Sequence, residues 1–151
     1  MPSRTRAAGG LFAAAVFFFG LLPAAQAQEE TGAENEASVA VELNKVEQLD
    51  DACRAYLLFE NKQDRRFEEF RLDLVLFDDE GVIARRIAVE AGPLRAQRSV
   101  VKLFDLADLQ CERIDRVLLN DISPCVDEEG ARENCVEEVE LRTRSGVEFF
   151  R

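Results

Sequence analysis

Apolar and polar residues alternate along most of this chain with a period of two, the spacing of strands that bury one face. Val39, Ala40, Val41 and Leu43 open such a strand, with Glu42 and Asn44 turned outward. In the stretch CRAYLLFEN, Cys53, Ala55, Leu57 and Phe59 share one face. The clearest case is FRLDLVLFD, where Phe70, Leu72, Leu74 and Leu76 point one way and Arg71 and Asp73 the other. Asp79-Glu80-Gly81 supplies a turn with a glycine free to take positive φ, and residues 82–90 return as the partner strand. Gly92-Pro93 punctuates, and residues 99–104 form a fifth strand. Asp105-Leu106-Ala107-Asp108-Leu109 reads as one helical turn with Asp105 as its N-cap. Residues 114–122 and 136–144 are the sixth and seventh strands, and Ser145-Gly146 folds Val147 to Phe150 back as an eighth. No segment sustains the i, i+3, i+4, i+7 pattern of an amphipathic helix. The expected fold is an all-β, Ig-like antiparallel sandwich of seven or eight strands over residues 38–151, with a closed barrel as the alternative.

The first residues follow a different pattern. Arg4 and Arg6 precede an uninterrupted apolar run from Leu11 to Leu22, Pro23 breaks it, and Ala25-Gln26-Ala27 offers the small-x-small site that signal peptidases accept. The reading is a signal peptide over residues 1–27, cleaved between Ala27 and Gln28. The competing reading is an uncleaved anchor, since no charge falls between Ala7 and Ala25. The proline break and the Ala-x-Ala site favour cleavage, which leaves no stable membrane anchoring. Arg4-Thr5-Arg6 lacks an adjacent arginine pair and favours general secretion. Residues 28–37, QEETGAENEA, read as an acidic, solvated linker.

Removing this leader sharpens the charge. The whole chain carries 19 basic and 30 acidic residues; the leader holds two of the basic ones and no acid, so the remainder stands near −13. Such a surface disfavours binding to nucleic acid or anionic lipid. The acidity is uneven, because charges nearly balance between Lys62 and Lys102. There Arg65, Arg66, Arg85, Arg86, Arg95 and Arg98 either gather into a basic patch for an anionic partner or pair across strands with Glu68, Asp73 and Glu90. Cross-strand pairing is the more ordinary outcome.

The segments AYLLFEN and FRLDLVLFDDEGVIA, followed by KLFDL and VLLND, carry a resemblance. Together they resemble a family of exported alphaproteobacterial proteins often named for a Tat pathway signal sequence. The resemblance runs from Val39 to Phe150 and includes all four cysteines. Leu72 to Asp78 is also similar to the strand–turn–strand of FxLYD-type immunoglobulin-like modules, over about a third of that length. The resemblance implies a periplasmic Ig-like fold and no particular activity.

Cys53, Cys111, Cys125 and Cys135 all follow the leader, and an even count in an exported chain implies two disulfides among three formal connectivities. Cys125 and Cys135 bracket a polar loop, and their pairing would staple it. In an up-and-down succession Cys53 and Cys111 start even-numbered strands at one end, so that their bridge would tie the two sheets together. These two pairings are favoured. Zinc is disfavoured by the absence of any C-x₂-C spacing and of any histidine, and a C-x-x-C redox pair is absent.

With no histidine, Ser-His-Asp and Cys-His nucleophiles are excluded. Paired carboxylates remain formally open, yet Asp73, Asp78, Asp79 and Glu80 fall on an exposed face or a turn. Asp78-Asp79-Glu80 and Asp127-Glu128-Glu129 are acidic clusters without EF-hand spacing. The expectation is a non-enzymatic periplasmic module without cofactor or metal that recognises a protein partner through a sheet edge or loops. The alternative is a structural or envelope-stability protein without a specific ligand.

Overall fold

A computed structural model describes residues 39–151; the expected signal peptide and acidic linker lie outside the described residues. Nine strands are found there: β1 (Val39–Gln48), β2 (Ala52–Asn61), β3 (Phe67–Phe77), β4 (Ile83–Glu90), β5 (Arg98–Ala107), β6 (Arg116–Asp127), β7 (Gly130–Ala131), β8 (Val139–Thr143) and β9 (Glu148–Phe150). Single 3₁₀ turns occupy Cys111–Arg113 and Cys135–Glu138.

The strands form two sheets that do not close into a barrel. The first has the order β5-β2-β1-β8, and the second runs β4-β3-β6-β7 with β9 also paired to β6. Strands β1, β2 and β5 thus sit in one layer and β3, β4 and β6 in the other, the division of immunoglobulin-type sandwiches. Leu57 and Phe59 from the first sheet meet Leu72, Leu74 and Leu76 from the second, all nearly inaccessible to solvent. Gly81, with φ of +77°, makes the β3–β4 turn, where Asp78 accepts hydrogen bonds from the Glu80 and Val82 amides.

Several expectations need correction. The sheets are mixed: β8 lies parallel to β1, and β9 lies parallel to β6. The last strand therefore does not fold back on its predecessor but crosses to the other layer. The expected helical turn at Asp105–Leu109 is absent, because β5 runs to Ala107 and its ladder with β2 takes those backbone groups. Asp105 holds Arg54 across the strands at 2.6 Å instead of capping a helix. The 3₁₀ turn comes later, after Asp108 at φ of +56° has ended the strand. Strand β6 continues through Cys125 to Asp127 and makes a short hairpin with β7. Glu42, placed outward by alternation, is buried beneath Arg144 at 3.1 Å and Asn44 at 2.6 Å.

The disulfides join Cys53 to Cys111 and Cys125 to Cys135, with Cα separations of 4.9 and 6.6 Å. The first does not run strand to strand between the sheets. It ties β2 to the 3₁₀ turn in the β5–β6 crossover, where the chain passes from one layer to the other. The second ties β6 to the 3₁₀ turn ahead of β8. Two such bridges mark a domain that matures in an oxidising, extracytoplasmic setting.

Candidate binding edge

Strands β4 and β5 end their respective sheets on the same side of the sandwich. Strand β5 pairs over ten residues with β2 alone, so its other backbone edge is open. The β2 ladder fixes which face each β5 side chain takes. Arg98, Val100, Lys102, Phe104 and Leu106 stand opposite Asn61, Phe59, Leu57, Ala55 and Cys53, and so look toward the second sheet. Val101 and Leu103 look outward, opposite Leu58 and Tyr56, and are 53% and 49% exposed. A large apolar side chain half in water at two alternate positions of an edge strand is a feature that soluble domains usually avoid. Val82 and Ile83, leading into β4, are exposed as well.

Two cations cross the open side. Arg85 of β4 donates to the Ala107 carbonyl at 2.6 Å, and Lys102 of β5 donates to the Gly92 carbonyl at 3.0 Å. Both occupy the inward rows of their strands, opposite Leu76 and Leu57, and reach backbone oxygens on the facing layer's side. Beneath them lies a void of about 30 Å³ lined entirely by apolar side chains, among them Ile87, Phe104 and Leu106. It is about tenfold smaller than an ordinary ligand pocket, so it is a packing gap.

The crossover from β4 to β5 is held from below. Asn61 is buried, and its amide donates to the carbonyls of Arg65, Leu94 and Arg95 at 2.9, 3.3 and 3.1 Å. Gly92 lies flat on β3, where a Cβ would come within 2.8 Å of the Glu68 carbonyl and 2.9 Å of the Phe70 nitrogen. Arg95, Arg98 and Ser99 then line a surface cleft of about 390 Å³ with Pro93 and Val100.

The arginines of the middle section divide between the two expected outcomes. Arg86 is held by Asp73 at 2.6 Å, Arg66 by Glu68 at 2.6 Å and Arg65 by Asp127 at 3.5 Å. Asp73 is thereby kept below the usual carboxylate range, mainly by its hydrogen bond from Arg86 with help from Asn120, against the cost of burial. By contrast Arg85, Arg95 and Arg98 make no ion pair among the described residues, and neither does Lys102. Lys102 drew no notice in the sequence, since a lysine between apolar residues reads as the solvent face.

One carboxylate of each acidic cluster is taken up by the structure. Asp78 caps its own turn, and among the described residues no group of three or more His, Cys, Asp or Glu side chains is arranged for a metal ion. Asp127 is buried and accepts from the Glu129 amide at 2.9 Å, from Arg132 at 3.3 Å and from Arg65 at 3.5 Å. Burial opposes its ionisation, but that amide and the two guanidinium groups outweigh burial and hold its carboxyl below its ordinary value of 3.8. A depressed folded-state value gives stability that is present above about pH 4 and lost as the pH falls through the folded value. Asp127→Asn is therefore expected to cost about 1–3 kcal/mol at neutral pH and to flatten the acid limb of a stability–pH curve, measured by urea unfolding between pH 2 and 7. An unchanged acid limb would remove Asp127 from this role.

No protein-family model and no curated protein sequence matches this chain. Among solved structures it is similar to one described as the structural characterization of IrmA from Escherichia coli, with 13% identity and a TM-score of 0.50. That match covers 68% of this chain and 89% of the other, and it is a likeness of fold.

Proposed function

We propose that this chain is an exported, periplasmic, non-enzymatic binding or accessory module of Ig-like fold that recognises a protein partner through β5. The exposure of Val101 and Leu103 on an edge strand paired on one side only carries this reading. An extended polypeptide adding to that edge would satisfy the open backbone groups and cover both side chains, as in strand addition to other sheets. The leader at residues 1–27, the two bridges and the resemblance to exported alphaproteobacterial proteins support the compartment. The lack of histidine supports a non-enzymatic role, as does the depression of every carboxylate among the described residues that departs from its ordinary value, since a general acid needs the opposite shift.

A structural protein without a specific ligand is the second reading. It is favoured by Arg85 and Lys102, since inward-pointing charges on edge strands protect sheets from adventitious pairing. A photo-crosslinking residue placed at Leu103 in the full-length chain, in living cells, separates the two. The binding reading expects a discrete adduct from position 103 and none from a control at Asn120 on β6. The same faint smear from both positions would favour the structural reading.

A further inference from the structure

The proposed edge carries enough detail to specify the partner's chemistry, and the following step rests on that reading. We infer that β5 is built to receive an extended acidic strand, one face bearing carboxylates and the other apolar side chains. Three observations converge on this pattern.

The cations are strung out rather than clustered. Arg98 and Lys102 stand four residues apart on the inward row of β5, and Arg85 reaches the carbonyl of Ala107 at the strand's far end. Arg95 extends the series past Arg98 on a loop held by Asn61. From Arg98 to Ala107 a strand covers about 30 Å, which suits an extended chain better than a compact anion.

The electrostatic setting is exceptional for this protein. Beyond its leader the chain carries a net charge near −13, yet these four cations have no carboxylate partner among the described residues. The one acid within β5, Asp105, lies on the outward row and is neutralised by Arg54 at 2.6 Å. Lys102 and Arg85 rest on backbone carbonyls, contacts that an incoming carboxylate replaces with a stronger, charge-assisted bond.

The same row argues against a second copy of this chain as the occupant. Antiparallel pairing of β5 with itself at its fullest overlap would set the inward Lys102 against its own counterpart, and like charges facing across strands are destabilising. An acidic strand reverses the sign of that interaction. On the outer face Val101 and Leu103 call for apolar neighbours. The demanded sequence is therefore a period-two alternation of Asp or Glu with Val, Ile or Leu.

The probes are the peptides Ac-EVEVEVEV-NH2 and Ac-KVKVKVKV-NH2, titrated into the oxidised full chain and followed by amide and arginine Nε–H NMR shifts. The expected result is saturable shifts along β5 and at Arg95 and Arg98 with the acidic peptide, and binding at least about tenfold weaker with the basic one. Arg98→Glu with Lys102→Glu should invert that preference, while Arg113→Glu, off this edge, should leave it unchanged. Arg95→Glu, an exposed loop change, should weaken the acidic peptide even if the double variant does not fold. Equal binding of both peptides on β5 would overturn the acidic specificity and leave edge recognition standing. Shifts at Arg95 and Arg98 reproduced by inorganic phosphate, with β5 amides unmoved, would overturn strand addition in favour of simple anion binding. No shift with either peptide would overturn the inference, and the crosslinking experiment would then decide the broader reading by itself.

Discussion

Replacing Cys53 and Cys111 together by alanine is expected to lower the unfolding free energy by about 4 kcal/mol. The bridge closes a loop of 58 residues, and most of its effect lies in the unfolded chain, whose freedom it restricts. Replacing Cys125 and Cys135 together should cost about 3 kcal/mol, since that loop spans 10 residues. The Cys53 bridge has a second consequence for the native state. It holds the crossover that follows β5, and so anchors the strand proposed as the recognition edge. Urea unfolding of the two double variants gives the comparison directly. A smaller loss from the long loop than from the short one would overturn the chain-entropy account.

Phe67→Ala is expected to cost about 4 kcal/mol. Phe67 is 1% exposed, meets Phe70 edge-on with ring centroids 5.2 Å apart, and exchanges two backbone hydrogen bonds with Leu94 at 2.9 and 2.8 Å. Its removal leaves a cavity under the β4–β5 crossover, where neighbouring backbone pressed onto Gly92 has no room to collapse. Leu103→Ser provides the contrast. As a half-exposed residue it should change stability by less than about 0.5 kcal/mol while removing part of the proposed edge. A loss from Leu103→Ser comparable to that from Phe67→Ala would mean that Leu103 serves folding and not recognition.

The strands up to β6 were legible where one face is buried, since period-two alternation records burial there; the first half of β1, buried on both faces from Val39 to Leu43, departs from it. The FRLDLVLFD segment shows this best: the residues that alternate there are the ones that meet the opposite sheet. Legibility failed where another constraint overrode the local pattern. Asp105 has a good N-cap side chain, but a ten-residue ladder and an arginine across the strand outweigh one capping bond. The parallel pairings of β8 and β9 left no trace, since short strands do not encode the direction of a partner about a hundred, or about thirty, residues away. The candidate edge was hidden for a related reason. In SVVKLF each alternate row holds two apolar side chains and one polar one, so alternation alone does not decide which row faces the core. The ladder with β2 decides it, turning Val100, Lys102 and Phe104 inward.

The two parallel pairings also set an order of events. Val39 waits for Val139 as its neighbour, and Arg116 to Leu118 wait for Glu148 to Phe150. In a chain delivered from its N-terminus, residues 139–150 emerge after all the other strands, so both sheets keep a flank unfinished until then. High contact order of this kind makes folding slow and leaves early intermediates with unpaired strands. Both sheets are therefore completed last, by the C-terminal strands β8 and β9.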